Sequence, residues 1–153
     1  MLKIVKYFSL LLLAGAVLPV RAQQMPGPHP AYLHALSDLR AARWCLSHQQ
    51  GDFKVYEEED QAIREIEAAI GEIKHAAWDD GKNLDDHPPI DVHDHGSRLL
   101  RAIEFLNKAK SDVDEWEDNP AARELRHRAY DHIEHATHAA EKAHDHWLRE
   151  MGR

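Results

Sequence analysis

Aspartate and histidine alternate in one short stretch near the middle of the chain. Asp91, His93 and His95 lie two residues apart, and His87 and two prolines come just before them. The prolines favour an extended backbone, in which alternate side chains point the same way. Two imidazoles and one carboxylate are a known ligand set for a divalent transition metal. We therefore predict that Asp91, His93 and His95, with His87 as a further candidate, bind Zn, Cu or Ni.

A plainer interpretation of this stretch is a solvated polar loop whose aspartates and histidines cap the helix that follows. A calcium loop is excluded, because an EF-hand that began at Asp79 would need glycine at its sixth position and glutamate at its twelfth. Leu84 and Ile90 occupy those two positions. The sequence alone does not choose between the metal site and the capped loop.

The last helical segment carries a second group of histidines, which are His127, His132, His135, His138, His144 and His146. At about 100° per residue none of them lies on the face formed by alanine and isoleucine, and His132 and His144 lie at its edges. Asp131, His135 and His138 share the outer surface, where they are close enough to bind one ion. The alternative is an imidazole-rich solvated surface without a ligand.

Other cofactors fit the sequence poorly. Glu72–His75 and Glu141–His144 repeat the E-x-x-H motif of di-iron helical bundles. Ile70 and Ile73 define the inner face of their segment, which turns the first motif outward and argues against a di-iron centre. The chain has no C-x-x-C-H haem motif, no glycine-rich phosphate loop and no Ser–His–Asp pattern. The residues therefore give no basis for predicting an enzyme.

Four amphipathic segments position these residues. The predicted helices run from 30 to about 49, from 53–57 to about 80, from about 97 onward, and from about 119 to about 151. The core face of the last helix is rich in alanine. Such small residues either let a neighbouring helix come close or leave room for a ligand.

The two halves of the chain resemble each other at an offset of 67 residues. The offset pairs Leu36 with Ile103, Leu39 with Leu106, Arg43 with Lys110, Ile66 with Ile133, and Glu67 with Glu134. We predict an all-α, antiparallel four-helix bundle over residues 31–153, built from two repeated hairpins with a long connection at 81–96. Arg43 and Lys110 fall at core-face positions, where they either extend their charged ends to solvent near the bundle ends or, as we expect, pair with acids such as Asp38 or Glu67.

Residues 1–22 have the pattern of a secretory signal peptide. Lysines precede an uncharged, mostly apolar run from Tyr7 to Val20 that is too short to span a membrane, and Ala22 ends a plausible cleavage site. Residues 23–30 form a proline-rich lead-in. We expect export to the periplasm or the extracellular space, with no membrane anchoring after cleavage.

Charge narrows the range of partners. Cleavage would remove three basic residues and change the formal net charge from −8 to −11. An acidic surface repels phosphate backbones and anionic lipids, so we expect neither nucleic-acid binding nor membrane-surface binding. All 13 histidines lie after the signal peptide, and their full protonation would carry the net charge from −11 to +2. The charge therefore changes steeply where histidine titrates.

A single cysteine, Cys45, excludes an internal disulfide. In an exported protein such a thiol is either free or paired with another chain, which leaves a homodimer open.

Three motifs are spread along the chain after the signal peptide. They are H-P-x-Y-L-H-A-L-S-D-L-R at 29–40, D-D-G-K-N-L-x-D-H-P-P at 79–89 and E-D-N-P at 117–120. Together they resemble a group of small exported bacterial proteins to which no function is assigned. The resemblance implies an extracytoplasmic helical protein and nothing about activity.

The sequence as a whole favours a protein that binds something rather than transforms it. The leading hypothesis is low-affinity binding of a divalent transition metal. The rival is a metal-free bundle that interacts with other proteins, or acts in a stress response, through its pH-dependent surface charge.

Overall fold

The computed structural model describes residues 30–47, 49, 52, 55–76, 81–114 and 120–152. The predicted signal peptide at 1–22 and all but the last residue of the lead-in lie outside these residues.

The described residues form four helices and no strand. The helices are α1 (Pro30–Leu46), α2 (Glu57–Ala76), α3 (His95–Val113) and α4 (Pro120–Met151). Helix α1 packs against α2 and α3, and α4 packs against the same two helices. This arrangement confirms the four-helix bundle. None of the four helices combines the length and the apolar character that a membrane crossing requires.

Local chemistry explains where the helices start. The first turn of α2 contains Glu57, Glu58, Glu59 and Asp60, whose charges favour the positive end of the helix dipole. Helix α4 begins at Pro120, whose fixed φ angle suits the first helical position. Asp94 caps α3, because its side chain accepts a hydrogen bond of 2.9 Å from the backbone N–H of Ser97.

Two predicted boundaries differ from the structure. The Asp94 cap starts α3 at His95, two residues before the predicted start, so His95 belongs to the helix rather than to the connection. Helix α1 ends at Leu46 rather than near 49. The hydroxyl of Ser47 donates to the carbonyl oxygen of Arg43 at 2.8 Å, which satisfies a carbonyl of the last turn where the helix stops.

The predicted core faces are confirmed. Buried side chains include Leu36, Leu39, Ile66, Ile70, Ile73, Leu99, Leu106, Val113 and Ile133. On α4 the alanines at positions 129, 136, 140 and 143 are fully buried in the same cluster. Helix α2 shares its most extensive interface with α4. The alanine face of α4 therefore serves close helix packing, which was one of the two alternatives that the sequence left open.

Both predicted core cations are paired. Arg43 Nε lies 2.7 Å from Glu67 Oε1, as expected. Lys110 Nζ lies 2.9 Å from Glu134 Oε1, and this contact raises the pKa of the lysine and lowers that of the glutamate. Arg43 also reaches Asp85 in the connection between α2 and α3 at 3.0 Å. The connection is thereby held against α1.

Cys45 is fully buried in the core. Burial raises the pKa of its thiol from 9.0 to about 12, because the thiolate would lose its hydration. The folded bundle therefore does not present this thiol to another chain, and the disulfide-linked homodimer that a single cysteine allows would require the bundle to open.

We expect Gly96→Ala to destabilise the bundle by about 1–3 kcal/mol, because overpacking strains a filled site. A Cβ atom at Gly96 would lie 2.6 Å from Cζ2 and 2.7 Å from Cζ3 of Trp147. Gly71→Ala is the matched control, since a Cβ atom there meets nothing within 4 Å. In the middle of α2 it should stabilise the protein by up to about 1 kcal/mol. Urea unfolding measures both, and shifts of equal sign would contradict the packing described.

A thiol reagent such as dithionitrobenzoate should label Cys45 slowly in the native protein and rapidly after denaturation, since the reactive species is the thiolate. The raised pKa also predicts a pH dependence. Stability is fully present below the unfolded thiol's pKa of 9.0 and declines as pH rises toward about 12, because only the unfolded chain ionises in that range. Labelling of native protein at the denatured rate at pH 8 would contradict the burial.

Candidate metal centre

The predicted loop ligands separate in the structure. Asp91 and His93 lie side by side, with 3.4 Å between Oδ1 and Nε2, but their side chains are almost wholly exposed. The ring of His87 packs near the indole of Trp44, with 5.1 Å between centroids. His95 points to α2, where its Nε2 lies 3.1 and 3.0 Å from the two carboxylate oxygens of Glu59. The four side chains therefore do not converge on one point.

The partner of His95 has a structural role. Glu59 is 1 % exposed, and its Oε1 accepts a hydrogen bond of 3.0 Å from the backbone N–H of Tyr56. Tyr56 precedes the first residue of α2, so Glu59 closes the start of its own helix as the acid of a capping box does. The same carboxylate binds His95 at the start of α3. One buried acid thus joins two helix starts.

A second buried ion pair lies beside this contact. Arg98 Nη2 lies 2.6 and 2.5 Å from the two carboxylate oxygens of Asp52, and both side chains are less than a tenth exposed. Asp52 belongs to the segment between α1 and α2. The pair therefore ties that segment to the first turns of α3. We interpret the Glu59–His95 and Asp52–Arg98 contacts as structural rather than as a ligand site, because both acids are already paired.

The prediction that Asp131, His135 and His138 lie on the outer surface of α4 is confirmed. Asp131, His135 and His138 are all exposed. Their imidazoles, however, face different carboxylates. His135 Nδ1 lies 3.9 Å from Glu65 of α2, and His138 Nδ1 lies 3.9 Å from Glu141 of α4. These three predicted ligands lie on the same face of α4, but their side chains do not converge on one position.

One group of potential ligands converges within the described part of the chain. Glu65, His132 and His135 each place one ligand atom within 4.8 Å of the other two. His132 Nδ1 lies 2.7 Å from Glu65 Oε2, and His135 Nδ1 approaches the same oxygen. Glu65 and His132 are about a quarter and a third exposed, so the group sits at the rim of the α2–α4 interface.

Helical periodicity predicts His132 at the edge of the core face and His135 on the outer surface, but it does not identify Glu65 as their partner. The sequence did contain a feature that links Glu65 to His132. Glu65 and His132 are separated by 67 residues, the offset at which the two halves match. Residues at equivalent positions meet when two related helices cross near an axis of approximate twofold symmetry. Such contacts need the helix pairing, which hydrophobic periodicity alone does not provide.

The neighbouring acid on α2 is held by another partner. Glu72 Oε2 accepts a hydrogen bond of 2.9 Å from Arg128, which lowers the pKa of Glu72 and raises that of Arg128. His132 thus has Glu65 as its direct partner while Arg128 engages the acid two turns along α2. The arrangement leaves one carboxylate and two imidazoles facing the same small volume.

These three side chains offer two nitrogens and one oxygen to a cation. Ligands bound at about 2.0–2.2 Å from zinc lie roughly 3–3.5 Å from one another. In the structure Glu65 Oε2 lies 2.7 Å from His132 Nδ1 and 3.9 Å from His135 Nδ1, distances on either side of that range. Imidazole and carboxylate together suit Zn, Cu and Ni. Because the group is partly exposed, positions on the ion would remain for ligands from outside the three residues.

Comparison with known proteins gave no match for this chain among family models, curated proteins or solved structures.

We expect Glu59→Ala to destabilise the bundle by about 1–3 kcal/mol, since it leaves the backbone N–H of Tyr56 and the largely buried imidazole of His95 without the carboxylate that they contact. His93→Ala is the matched control, because the His93 side chain is 88 % exposed and should change stability by less than about 0.5 kcal/mol. Urea unfolding measures both. A Glu59→Ala variant as stable as the control would contradict the structural role of the pair.

Proposed function

We propose that this protein binds a divalent transition metal, Zn, Cu or Ni, at Glu65, His132 and His135. The observation that supports this proposal is the convergence of three donor atoms from two packed helices on one partly exposed point. The ligands come from rigid helices whose backbones are held by the core beneath them. Such a site needs only side-chain rotation to accept an ion.

The loop residues Asp91, His93, His95 and His87 are a less favoured site in this proposal. Binding there would have to bring exposed loop side chains together and break the buried contact between His95 and Glu59. Both steps cost free energy that the α2–α4 site does not require. Asp131 and His138 flank the proposed site and are candidates for weaker, outer contacts with the ion.

We further propose that the bundle is antiparallel and consists of two related hairpins. The ion pairs support this. Arg43–Glu67 and Lys110–Glu134 each join residues 24 apart, and both members shift by the same offset between the two halves. Contacts between α2 and α4 also support it. Tyr56, just before α2, contacts Glu150 near the end of α4. Glu72, near the end of α2, contacts Arg128 near the start of α4, as expected for antiparallel helices.

Export completes the proposal. We propose, from the signal-peptide pattern at 1–22, that the mature chain works in the periplasm or outside the cell. The exposed imidazoles along α4 would then lie in a compartment without the cytoplasmic thiol pool.

Isothermal titration of the purified, untagged chain with Zn²⁺, Cu²⁺ and Ni²⁺ tests the site. We expect one ion per chain and a loss of affinity of more than about a hundredfold in His132→Ala, because removal of a direct ligand costs more than the roughly tenfold to hundredfold loss caused by removing an outer-shell partner. Glu65→Gln should weaken binding as well, since it keeps the shape of the side chain and removes its charge.

His127→Ala is the matched control, because His127 is an exposed histidine of α4 outside the group. It should bind metal as the unmodified chain does. Equal losses in His127→Ala and His132→Ala would indicate generic imidazole binding. A loss of metal affinity in His93→Ala/His95→Ala, with no loss in His132→Ala, would indicate that the metal binds in the connection between α2 and α3 instead.

A metal-free interaction bundle is the second candidate. It is favoured by His95 and His146, which flank the ring of Tyr56 at 5.9 Å and face Glu59 and Glu58. Protonation would turn these contacts into ion pairs at one end of the bundle. This candidate predicts a change in oligomerisation or client binding between about pH 7 and pH 5 that His146→Gln reduces. Light scattering that stays flat across this range would remove it.

A further inference from the structure

A straight stripe of charged and imidazole side chains runs along the outside of α4. Its members are spaced by steps of four and three and are Glu124, Arg128, Asp131, His135, His138, Lys142, Asp145 and Arg149. Seven of the eight are exposed, and the side chain of Arg128 is 43 % exposed. We call this set the α4 stripe. The spacing is that of the seam through which two helices of a coiled coil meet.

The charges of the α4 stripe are ordered about its middle. The stripe reads acid, base, acid, His, His, base, acid, base from its N-terminal to its C-terminal end. Reversed, it reads base, acid, base, His, His, acid, base, acid. Every charged position therefore meets the opposite charge when the stripe is laid against an inverted copy of itself.

The register of that match is well defined. An antiparallel pair of α4 helices that cross between Ala136 and Thr137 places Asp131 opposite Lys142 and His135 opposite His138. The same register places the two end pairs, Glu124 with Arg149 and Arg128 with Asp145, opposite each other. In a twofold-symmetric interface each such contact occurs twice. Three acids and three bases per helix cancel, although the whole chain carries a formal net charge of −8.

Charge pairing alone would not hold two copies together. Exposed ion pairs contribute little each, because water and salt screen them. The centre of the stripe, however, shares one residue with the proposed metal site. His135 belongs to that site, and its opposite number in the second copy is His138. A metal held by Glu65, His132 and His135 has three protein ligands, and a tetrahedral zinc site takes four.

We propose that the metal site is completed by His138 of a second copy, so that two ions join two copies through antiparallel α4 helices. This inference rests on the proposed metal site and adds its partner. The metal supplies the attraction, and the charges of the α4 stripe fix the direction and register of the pair. The partner is therefore another copy of this chain, selected by its own charge pattern.

Analytical ultracentrifugation of the untagged chain, with and without one equivalent of Zn²⁺, tests the proposal. We expect a monomer without metal, a dimer with Zn²⁺, and a return to monomer after addition of a chelator. His138→Ala should still bind Zn²⁺ in a titration but remain monomeric. A chain that binds Zn²⁺ and stays monomeric would overturn the dimer and leave the metal site standing. A chain that binds no Zn²⁺, Cu²⁺ or Ni²⁺ would overturn both.

A charge exchange tests the register. Asp131→Lys places two lysines opposite each other twice per dimer and should weaken Zn²⁺-dependent dimerisation on the order of tenfold. Asp131→Lys/Lys142→Asp restores opposite charges and should restore the dimer. Glu104→Lys is the control, since it makes the same change in net charge at an exposed position on α3. Equal dimerisation in all three variants would overturn the antiparallel α4 contact.

Discussion

The close approach of α2 to α4 is the constraint on which the rest of the structure depends. It exists because α4 presents alanine at four buried positions where a larger side chain would hold the helices apart. Isoleucines of α2 fill the space between the backbones, and the two helices share the most extensive interface in the bundle. Polar side chains at the rim of that interface are consequently brought within reach of one another. Glu65 meets His132 there, and Glu72 meets Arg128 two turns along α2.

One end of the bundle is fixed by buried polar and charged contacts as well as by apolar packing. Glu59 closes the start of α2 and binds His95 at the start of α3, while Arg98 binds Asp52 from the segment between α1 and α2. Each group is paired, which is the condition under which a buried charge is tolerated. The connection between α2 and α3 is held more lightly, by Asp85 on Arg43 and by His87 near Trp44. Potential ligand side chains on the helices are therefore held more firmly than those in the connection between α2 and α3.

The sequence allowed much of the fold to be predicted, because amphipathic spacing reports burial directly. The core faces and the exposure of Asp131, His135 and His138 follow from it, while Glu67 was one of two acids that the sequence offered to Arg43. The ligand group was harder. Asp91, His93 and His95 look convergent in an extended chain, but Asp94 caps α3 and draws His95 into the helix. Glu65 joins His132 only through the packing of two helices, and periodicity within one helix carries no information about its partner.

We propose that a metal ion bridges α2 and α4 through Glu65, His132 and His135. Nitrogen-15 spectra of the imidazole rings during addition of Zn²⁺ test it most directly, since each ring nitrogen reports its own coordination. The account predicts that the signals of His132 and His135 change up to one equivalent while those of His93 and His95 stay in place. Changes at His93 and His95 that precede any change at His132 would contradict it.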